Sequence, residues 1–429
     1  MIKDDYSRSR VPDSATVGGF RIAVVVFGIG VTLPVFFVGS ELAAGLGFRA
    51  AALAMAGGCA LVAALMIVTS VIGARTRLST YMLIQFAFGT AGVRCVNALL
   101  AVTYVGYFAA TGDIFGKAIR EALLAFYALD VPRPLCAAAG CAAMTLTAMY
   151  GFRLIEKFSR WTVPALALFM CYVVYLVVRQ TDFQTILAAA GTGGISFGMA
   201  VSTVIGTNIL MAVSGPDLTR YARTGWEGVK SVSGLALGYP LIMLASAIPT
   251  LALGETDIMR IMIGLGIAIP ALFILVFSTW TTNTVNLYSA VLTLAASFGK
   301  VSDQRLALGA SVLGTGAAVM GIMDFFLPFV LFIGIAATPI AGVYIADYFI
   351  VNRRRYKLRD LPARPRIGYS AILAWLGGSA ISFIASKQYI TLSAVPALDG
   401  LIAAFGLYAA LQFGSSRFGS HSETKRRNT

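Results

Sequence analysis

The chain has 429 residues, of which 58% are hydrophobic and only 12% charged, and its mean hydropathy is +0.82. A soluble domain carries about 25% charged residues, so the composition excludes a water-soluble globular protein and points to an integral membrane protein. The net charge of +14 does not indicate a nucleic-acid binder, because the charges sit between apolar segments and at the termini rather than along one basic face.

The first sixteen residues, Met1 to Thr16, are polar and lack the pattern of a cleavable signal peptide. Twelve segments then meet the requirement of about 20 mainly apolar residues for a membrane span. They are 19–40, 50–72, 94–116, 134–152, 161–178, 195–214, 231–253, 264–296, 306–323, 325–349, 367–385 and 396–413. The stretch Ser79 to Gly92 is moderately apolar and is expected along the membrane surface. Span 8 is too long for one simple crossing and is expected to begin with a turn. A tight turn near Asp324 separates spans 9 and 10.

Span 1 is interrupted by Gly28-Ile29-Gly30 followed by Pro34, and span 6 by Gly206-Thr207-Asn208 followed by Gly215-Pro216. Lipid forbids unpaired backbone, so a broken helix at membrane depth lines a protected cavity. Matching breaks in two halves of a chain point to a transporter's binding site.

The loop charges set the orientation. Most of the 33 Lys and Arg fall at the termini and in alternate loops, whereas Arg49, Lys117, Arg120, Arg133, Arg179, Arg260 and Lys387 fall on the other side. By the positive-inside rule both termini are cytoplasmic. The longest polar stretch, Asn352 to Arg366, reads as a topogenic loop, with attraction to anionic lipid as the other reading.

Enzyme chemistry is poorly supplied. The single histidine, His421, lies in the polar tail, and there is no P-loop, HExxH or GxSxG motif. Cys59, Cys95, Cys136, Cys141 and Cys171 lack metal spacing and read as core residues. A membrane sensor would be expected to carry a signalling domain, and none is present in the sequence. What remains is movement of a small solute driven by an ion gradient, with no cofactor.

Three polar features lie inside spans. In span 8, Ser278-Thr279-Trp280-Thr281-Thr282-Asn283-Thr284-Val285-Asn286 is dense in hydroxyls and amides. Na⁺ takes about five or six oxygens, which hydroxyls and freed carbonyls can supply. Ser278, Thr281 and Thr282 share one helix face. The competing reading is that these hydroxyls bond back to their own helix. In span 3, Tyr104, Tyr107 and Phe108 can stack on a flat ring or can simply pack a core. Asp113 and Lys117, four residues apart, fit a helical ion pair near the outer end, with a proton relay through Asp113 as the alternative. Asp217 and Arg220 at the end of span 6, and Asp347 at the end of span 10, read as solvated ends or as pairs at a cytoplasmic gate.

Several stretches resemble one family. These are Val11-Pro12-Asp13-Ser14-Ala15, Gly73-Ala74-Arg75-Thr76-Arg77-Leu78-Ser79-Thr80, Trp280-Thr281-Thr282-Asn283 with Leu287-Tyr288, and Gly342-Val343-Tyr344-Ile345-Ala346-Asp347-Tyr348 with Arg353-Arg354-Arg355-Tyr356. In the same order along most of the chain, they resemble the nucleobase:cation symporter-1 family, in particular its cytosine permease branch. The resemblance implies an all-α LeuT-like fold of 12 transmembrane helices in a single domain. Its inverted repeats would span about 19–178 and 195–349, helices 1 and 6 would be discontinuous, and two helices at about 367–413 would be appended.

The resemblance also implies a Na⁺ site at the carbonyls of Gly28, Thr32 and Ser278 and the hydroxyls of Thr281 and Thr282. It implies a substrate site at Tyr104, Tyr107, Thr207, Asn208, Leu210 and Asn283. Cytosine permeases carry Gln and Trp where this chain has Tyr104 and Tyr107, and Phe and Ser where it has Asn208 and Leu210. The ion positions are therefore kept better than the substrate positions. The expectation is a monomeric inner-membrane symporter that imports cytosine or a related heterocycle (a hydroxymethylpyrimidine, purine or hydantoin) with Na⁺, or with protons instead.

Overall fold

The computed structural model describes residues 6, 9–150, 152–298, 301–356 and 358–426, without side chains for 150–163 and 414–426. Lys3, Arg8, Lys300, Lys357 and Arg427, counted among the loop charges, lie outside the described residues, as do the side chains of Arg153, Lys157, Arg160, Arg417 and His421. Among the described residues the protein is helical, with only two isolated bridges, Val17 to Ala222 and Gly47 to Ala190.

In chain order the helices are α1 (Gly19–Gly30), α2 (Leu33–Leu46), α3 (Phe48–Thr76), α4 (Thr80–Tyr127), α5 (Arg133–Tyr150), α6 (Phe152–Gln180), α7 (Phe183–Ala188), α8 (Phe197–Val213), α9 (Gly215–Thr219), α10 (Gly225–Ser231), α11 (Ser233–Leu253), α12 (Ile258–Gly264), α13 (Ala268–Ser297), α14 (Asp303–Val319), α15 (Phe326–Ala346), α16 (Tyr369–Ser386) and α17 (Pro396–Arg426). Each of the twelve predicted segments is occupied by helix. Among the described residues, eight helical stretches are long and apolar enough to cross a membrane, and the bent pair α1–α2 makes a ninth candidate. Of the remaining segments, α6 keeps a shorter apolar stretch, Pro164–Gln180.

Local chemistry sets the boundaries. Ser196 caps α8 by accepting from Met199 N–H at 3.3 Å, and Asp257 caps α12 by accepting from Met259 N–H at 2.9 Å. Pro34 sits in the first turn of α2, where its missing N–H is not needed. Span 8 does begin with a turn: α12, then Leu265 to Ile267, then α13. A short 3-10 turn, Ile322–Phe325, separates α14 from α15 near Asp324.

One sequence expectation is corrected. Span 6 does not break at Gly206-Thr207-Asn208, because α8 runs unbroken through them. It breaks at Ser214, before Gly215-Pro216. Gly206 serves another purpose: a Cβ there would meet the Val330 carbonyl oxygen of α15 at 1.8 Å. Residues 79–92 pack against the protein, and a kink at Gly89 sets residues 80–88 apart from the rest of α4. Leu83, Ile84 and Phe88 are fully buried, and the segment joins α4 through Gly89, at φ 80°. The Phe88 carbonyl on one side of that kink accepts from Gly368 N–H at 2.7 Å, and on the other side Ala91 N–H donates to the Arg366 carbonyl at 2.7 Å. Cys59, Cys136 and Cys141 are buried as expected, but Cys95 and Cys171 are exposed.

The helices pack in two groups. α4, α5, α13 and α14 all contact one another, and α1, α2, α3, α8 and α11 form a second body. α15 lies against α8, and α16 and α17 pack together, with α17 also against α15. With no hydrophobic drive between helices in lipid, such association depends on close packing of small residues and on interhelical hydrogen bonds.

Candidate functional site

The break in span 1 is the centre of the site. α1 and α2 meet at 61° across Val31 and Thr32. In an unbroken helix the Thr32 N–H would close on the Gly28 carbonyl. Here it donates to the Gly30 carbonyl at 3.1 Å, so the Gly28 oxygen loses its helical partner. Gly30 permits close approach, since a Cβ there would lie 2.7 Å from the Tyr239 ring of α11.

Around this break the structure gathers several of the predicted residues. The Tyr107 hydroxyl donates to the Thr207 carbonyl at 2.8 Å and ties α4 to α8. Tyr104 lies near Ser214, the residue at the α8–α9 break. Asn208 is buried and its amide points to the Cys59 sulfur at 3.9 Å, leaving its carbonyl oxygen without a partner among the described residues. Tyr239 lies within electrostatic reach of Tyr104, Tyr107 and Cys59. Leu210 is half-buried against the same core. Tyr239 was missed from sequence, yet it carries the signal that marked Tyr104 and Tyr107, an aromatic ring with a polar tip inside a span.

Asn283 is placed elsewhere. Its amide faces the Met144 sulfur of α5 at 3.3 Å and lies beside Gly112 of α4. The Thr207 hydroxyl bonds back to the Thr203 carbonyl at 2.8 Å, leaving its backbone carbonyl as the group offered to Tyr107.

Of the ion-site positions, the Thr281 hydroxyl donates to the Phe277 and Ser278 carbonyls, each at 3.0 Å. The hydroxyls of Ser278 and Thr282 make no hydrogen bond among the described residues, and none joins Gly28 or Thr32 to the α13 hydroxyls. No group of three His, Cys, Asp or Glu that could hold a metal occurs among the described residues, so a cation here would depend on neutral oxygens.

An aromatic cover lies at one end of this region. Phe326 and Phe329 of α15 meet the Tyr107 ring edge-on, at centroid distances of 5.8 and 6.0 Å, and Phe37 of α2 meets Phe326 at 6.1 Å. Beside it the expected Asp113–Lys117 pair is not formed. Asp113 is fully buried, pairs through both oxygens with Arg133 at the start of α5, and accepts from Met323 N–H at 3.0 Å. Lys117 turns to Asp324 at 3.9 Å. The guanidinium of Arg133 is the stronger partner because its fork matches both carboxylate oxygens.

At the opposite end, Asp347 is not a solvated helix end. It is 1% exposed and accepts from Tyr408 O–H at 2.6 Å, Asn352 amide N–H at 2.9 Å and the Tyr356 hydroxyl. Burial pushes the Tyr356 phenol well above its ordinary range and the Asp347 charge adds to this, so it remains a proton donor. Asp347→Ala leaves these donors without an acceptor, at about 1–3 kcal/mol for each buried group. The expected result is a lower thermal-unfolding midpoint in detergent with an unchanged KM for uptake. Asp217 likewise works within the fold, accepting from Thr80 N–H at the start of α4 at 2.8 Å.

A family model described as permease for cytosine/purines, uracil, thiamine, allantoin matches residues 10–407. The chain belongs to this family. It is 30% identical over 373 residues to the cytosine permease of Escherichia coli (strain K12), covering 86% of this chain and 87% of the relative. It is 25% identical over 460 residues to the hydantoin permease of Microbacterium maritypicum, covering 96% and 89%. Its fold matches that of inward-facing Mhp1, with a TM-score of 0.86, 20% identity, and coverage of 96% and 94% of the two chains. The same transporter closed around bromovinylhydantoin matches with a TM-score of 0.81. The permease is thus a membrane protein with a LeuT-like helical fold, and its family consists of transporters rather than enzymes.

Proposed function

We propose that this permease imports a nucleobase, cytosine first among them, in symport with Na⁺ by alternating access. The observation that carries the ion reading is the withdrawn helical partner of Gly28, on a chain that keeps Ser278, Thr281 and Thr282 together on one face of α13. Na⁺ would take the Gly28 and Thr32 carbonyls, the Ser278 carbonyl and the Thr281 and Thr282 hydroxyls, bracing α1 against α13. Thr281 would have to exchange its bonds to its own helix for the ion. Tyr104, Tyr107, Thr207, Asn208 and Leu210 would surround the ring of the substrate, and Asn283 would reach it only by leaving Met144. Ion and substrate bias the conformational equilibrium through their different affinities for its states.

In this reading the two repeats are about 19–178 and 195–349, the protein acts as a monomer in the inner membrane, and the end that carries Gly19 and Asp347 faces the cytoplasm. The side-by-side excess of Lys and Arg in the loops at that end supports the orientation. A hydantoin or another planar heterocycle is the second reading. It is supported by Tyr104, Tyr107, Asn208 and Leu210, which replace the residues of cytosine permeases, and by a hydantoin permease among the relatives.

The test is uptake of radiolabelled cytosine into cells lacking their own permease, with and without Na⁺, by wild type and Thr282→Ala. The expected result is Na⁺-dependent uptake that the variant loses. Uptake that is equal without Na⁺ overturns the coupling. No cytosine uptake by well-expressed protein, with uptake of a hydantoin in the same cells, moves the substrate to the second reading.

A further inference from the structure

Past α15 the chain leaves the bundle through a π-helical turn, Asp347–Val351. Two successive residues then take left-handed backbone, with φ 47° at Arg353 and 63° at Arg354. This conformation is disfavoured for residues with a Cβ, and it is held by Arg354 N–H donating to the Tyr348 carbonyl at 2.7 Å and Arg355 N–H to the Asn352 carbonyl at 2.9 Å. Arg353, Arg354 and Arg355 all present exposed side chains here. The Arg354 guanidinium lies over the Phe349 ring, 5.1 Å from its centroid.

A fourth cation joins them from another helix. Arg75, exposed in the last turn of α3, and Arg354 both lie within electrostatic reach of the Tyr348 hydroxyl. The Arg75 Nε is also 3.7 Å from where a Cβ of Gly225 would stand, and the next residue, Trp226, is 67% exposed. Among the described residues none of Arg75, Arg353, Arg354 and Arg355 pairs with a carboxylate. The carboxylate of this turn, Asp347, is committed to Asn352, Tyr356 and Tyr408.

These cations stand at the polar ends of two membrane-spanning helices, α3 and α15, at the depth where lipid headgroups lie. An exposed tryptophan at that depth is a typical interfacial anchor. Exposed like charges gathered on one surface attract anions, and at this depth lipid phosphate is the abundant one. We propose that Arg75 and Arg354, flanked by Arg353 and Arg355, bind the phosphate headgroup of an anionic phospholipid, with the Trp226 indole against its glycerol region. The bound lipid bridges the end of α3 to the segment that follows α15, independently of which substrate the permease carries.

The test uses the full chain purified into phosphatidylcholine vesicles and into equimolar phosphatidylcholine and phosphatidylglycerol. Thermal-unfolding midpoints are read together with lipid retained by native mass spectrometry. Wild type is expected to gain midpoint in the anionic mixture and to retain phosphatidylglycerol. Arg75→Gln/Arg354→Gln is expected to match wild type in phosphatidylcholine alone, which establishes that it folds. It should lose the gain and retain phosphatidylglycerol about thirty-fold more weakly, as expected for two charges near an anionic surface. Arg305→Gln, an exposed cation elsewhere, should keep both. A double variant that keeps the gain overturns the proposal, as does an equal loss in Arg305→Gln, which would mean diffuse surface charge.

Discussion

Asp113→Asn is expected to lower the thermal-unfolding midpoint and the uptake rate together, while the pH profile of uptake keeps its shape. The Asp113 side chain is 0% exposed and holds three parts of the chain: α4, which carries it, Arg133 at the start of α5, and Met323 N–H in the turn before α15. Removing one partner of a buried ion pair costs about 3–5 kcal/mol, because the other charge is left without compensation. Asn can still accept from Met323 N–H, and Arg133 still has Asp324 at 3.7 Å, so the loss falls toward the low end of that range. Transport suffers because the same turn launches Phe326 and Phe329, which cover Tyr107. Arg133→Gln should be comparably damaging, and the double variant should be milder than the sum of the two, the mark of direct coupling. A proton-carrying Asp113 predicts the opposite pattern: a preserved midpoint, lost uptake and a flattened pH profile.

The parts of the fold encoded by local chemistry were legible in the sequence. The α1–α2 break follows from Gly28, Gly30 and Pro34, since Pro cannot continue the preceding ladder. The turns before α13 and at Asp324 carry Gly266 and Gly321, both at positive φ. The hydroxyl-rich stretch of α13 divides along lines that a sequence cannot draw. Thr279, Thr281 and Thr284 bond back to their own helix, and Ser278 and Thr282 do not. What was misread depends on partners distant in the chain. Lys117 is the cation nearest to Asp113 along the helix, but Arg133, across the next turn, has the better geometry. Asp347 looked like a helix end until Tyr408, on α17, closed its cage. Asn283, in the same hydroxyl-rich stretch of α13, turns its amide N–H to Met144 of α5 and leaves its carbonyl oxygen without a partner among the described residues, and only the relation between helices decides that.

Gly206 was misread for the same reason, and it separates two meanings of a glycine inside a span. If Gly206 were a point of unwinding, Gly206→Ala would impair transport and leave the folded protein about as stable as before. The structure places it in continuous helix where α8 crosses α15. A Cβ at Gly206 would stand 1.8 Å from the Val330 carbonyl oxygen and 2.9 Å from Gly334 N, and a Cβ at Gly334 would stand 3.2 Å from Gly206 Cα. The two glycines let the backbones touch, as small residues do where membrane helices pack tightly. An added methyl therefore meets backbone rather than a side chain that can turn away, and the helices must separate. Overpacking of this kind costs about 1–3 kcal/mol, and more where backbone has to move. Gly206→Ala is expected to lower the unfolding midpoint strongly, and Gly206→Val to prevent accumulation of folded protein in the membrane. Displacing α8 from α15 would also shift the Thr207 carbonyl, one residue on, away from the Tyr107 hydroxyl at 2.8 Å. Any folded Gly206→Ala should therefore show a raised KM for its substrate as well, whereas a variant as stable as wild type with impaired uptake would restore Gly206 as a point of unwinding.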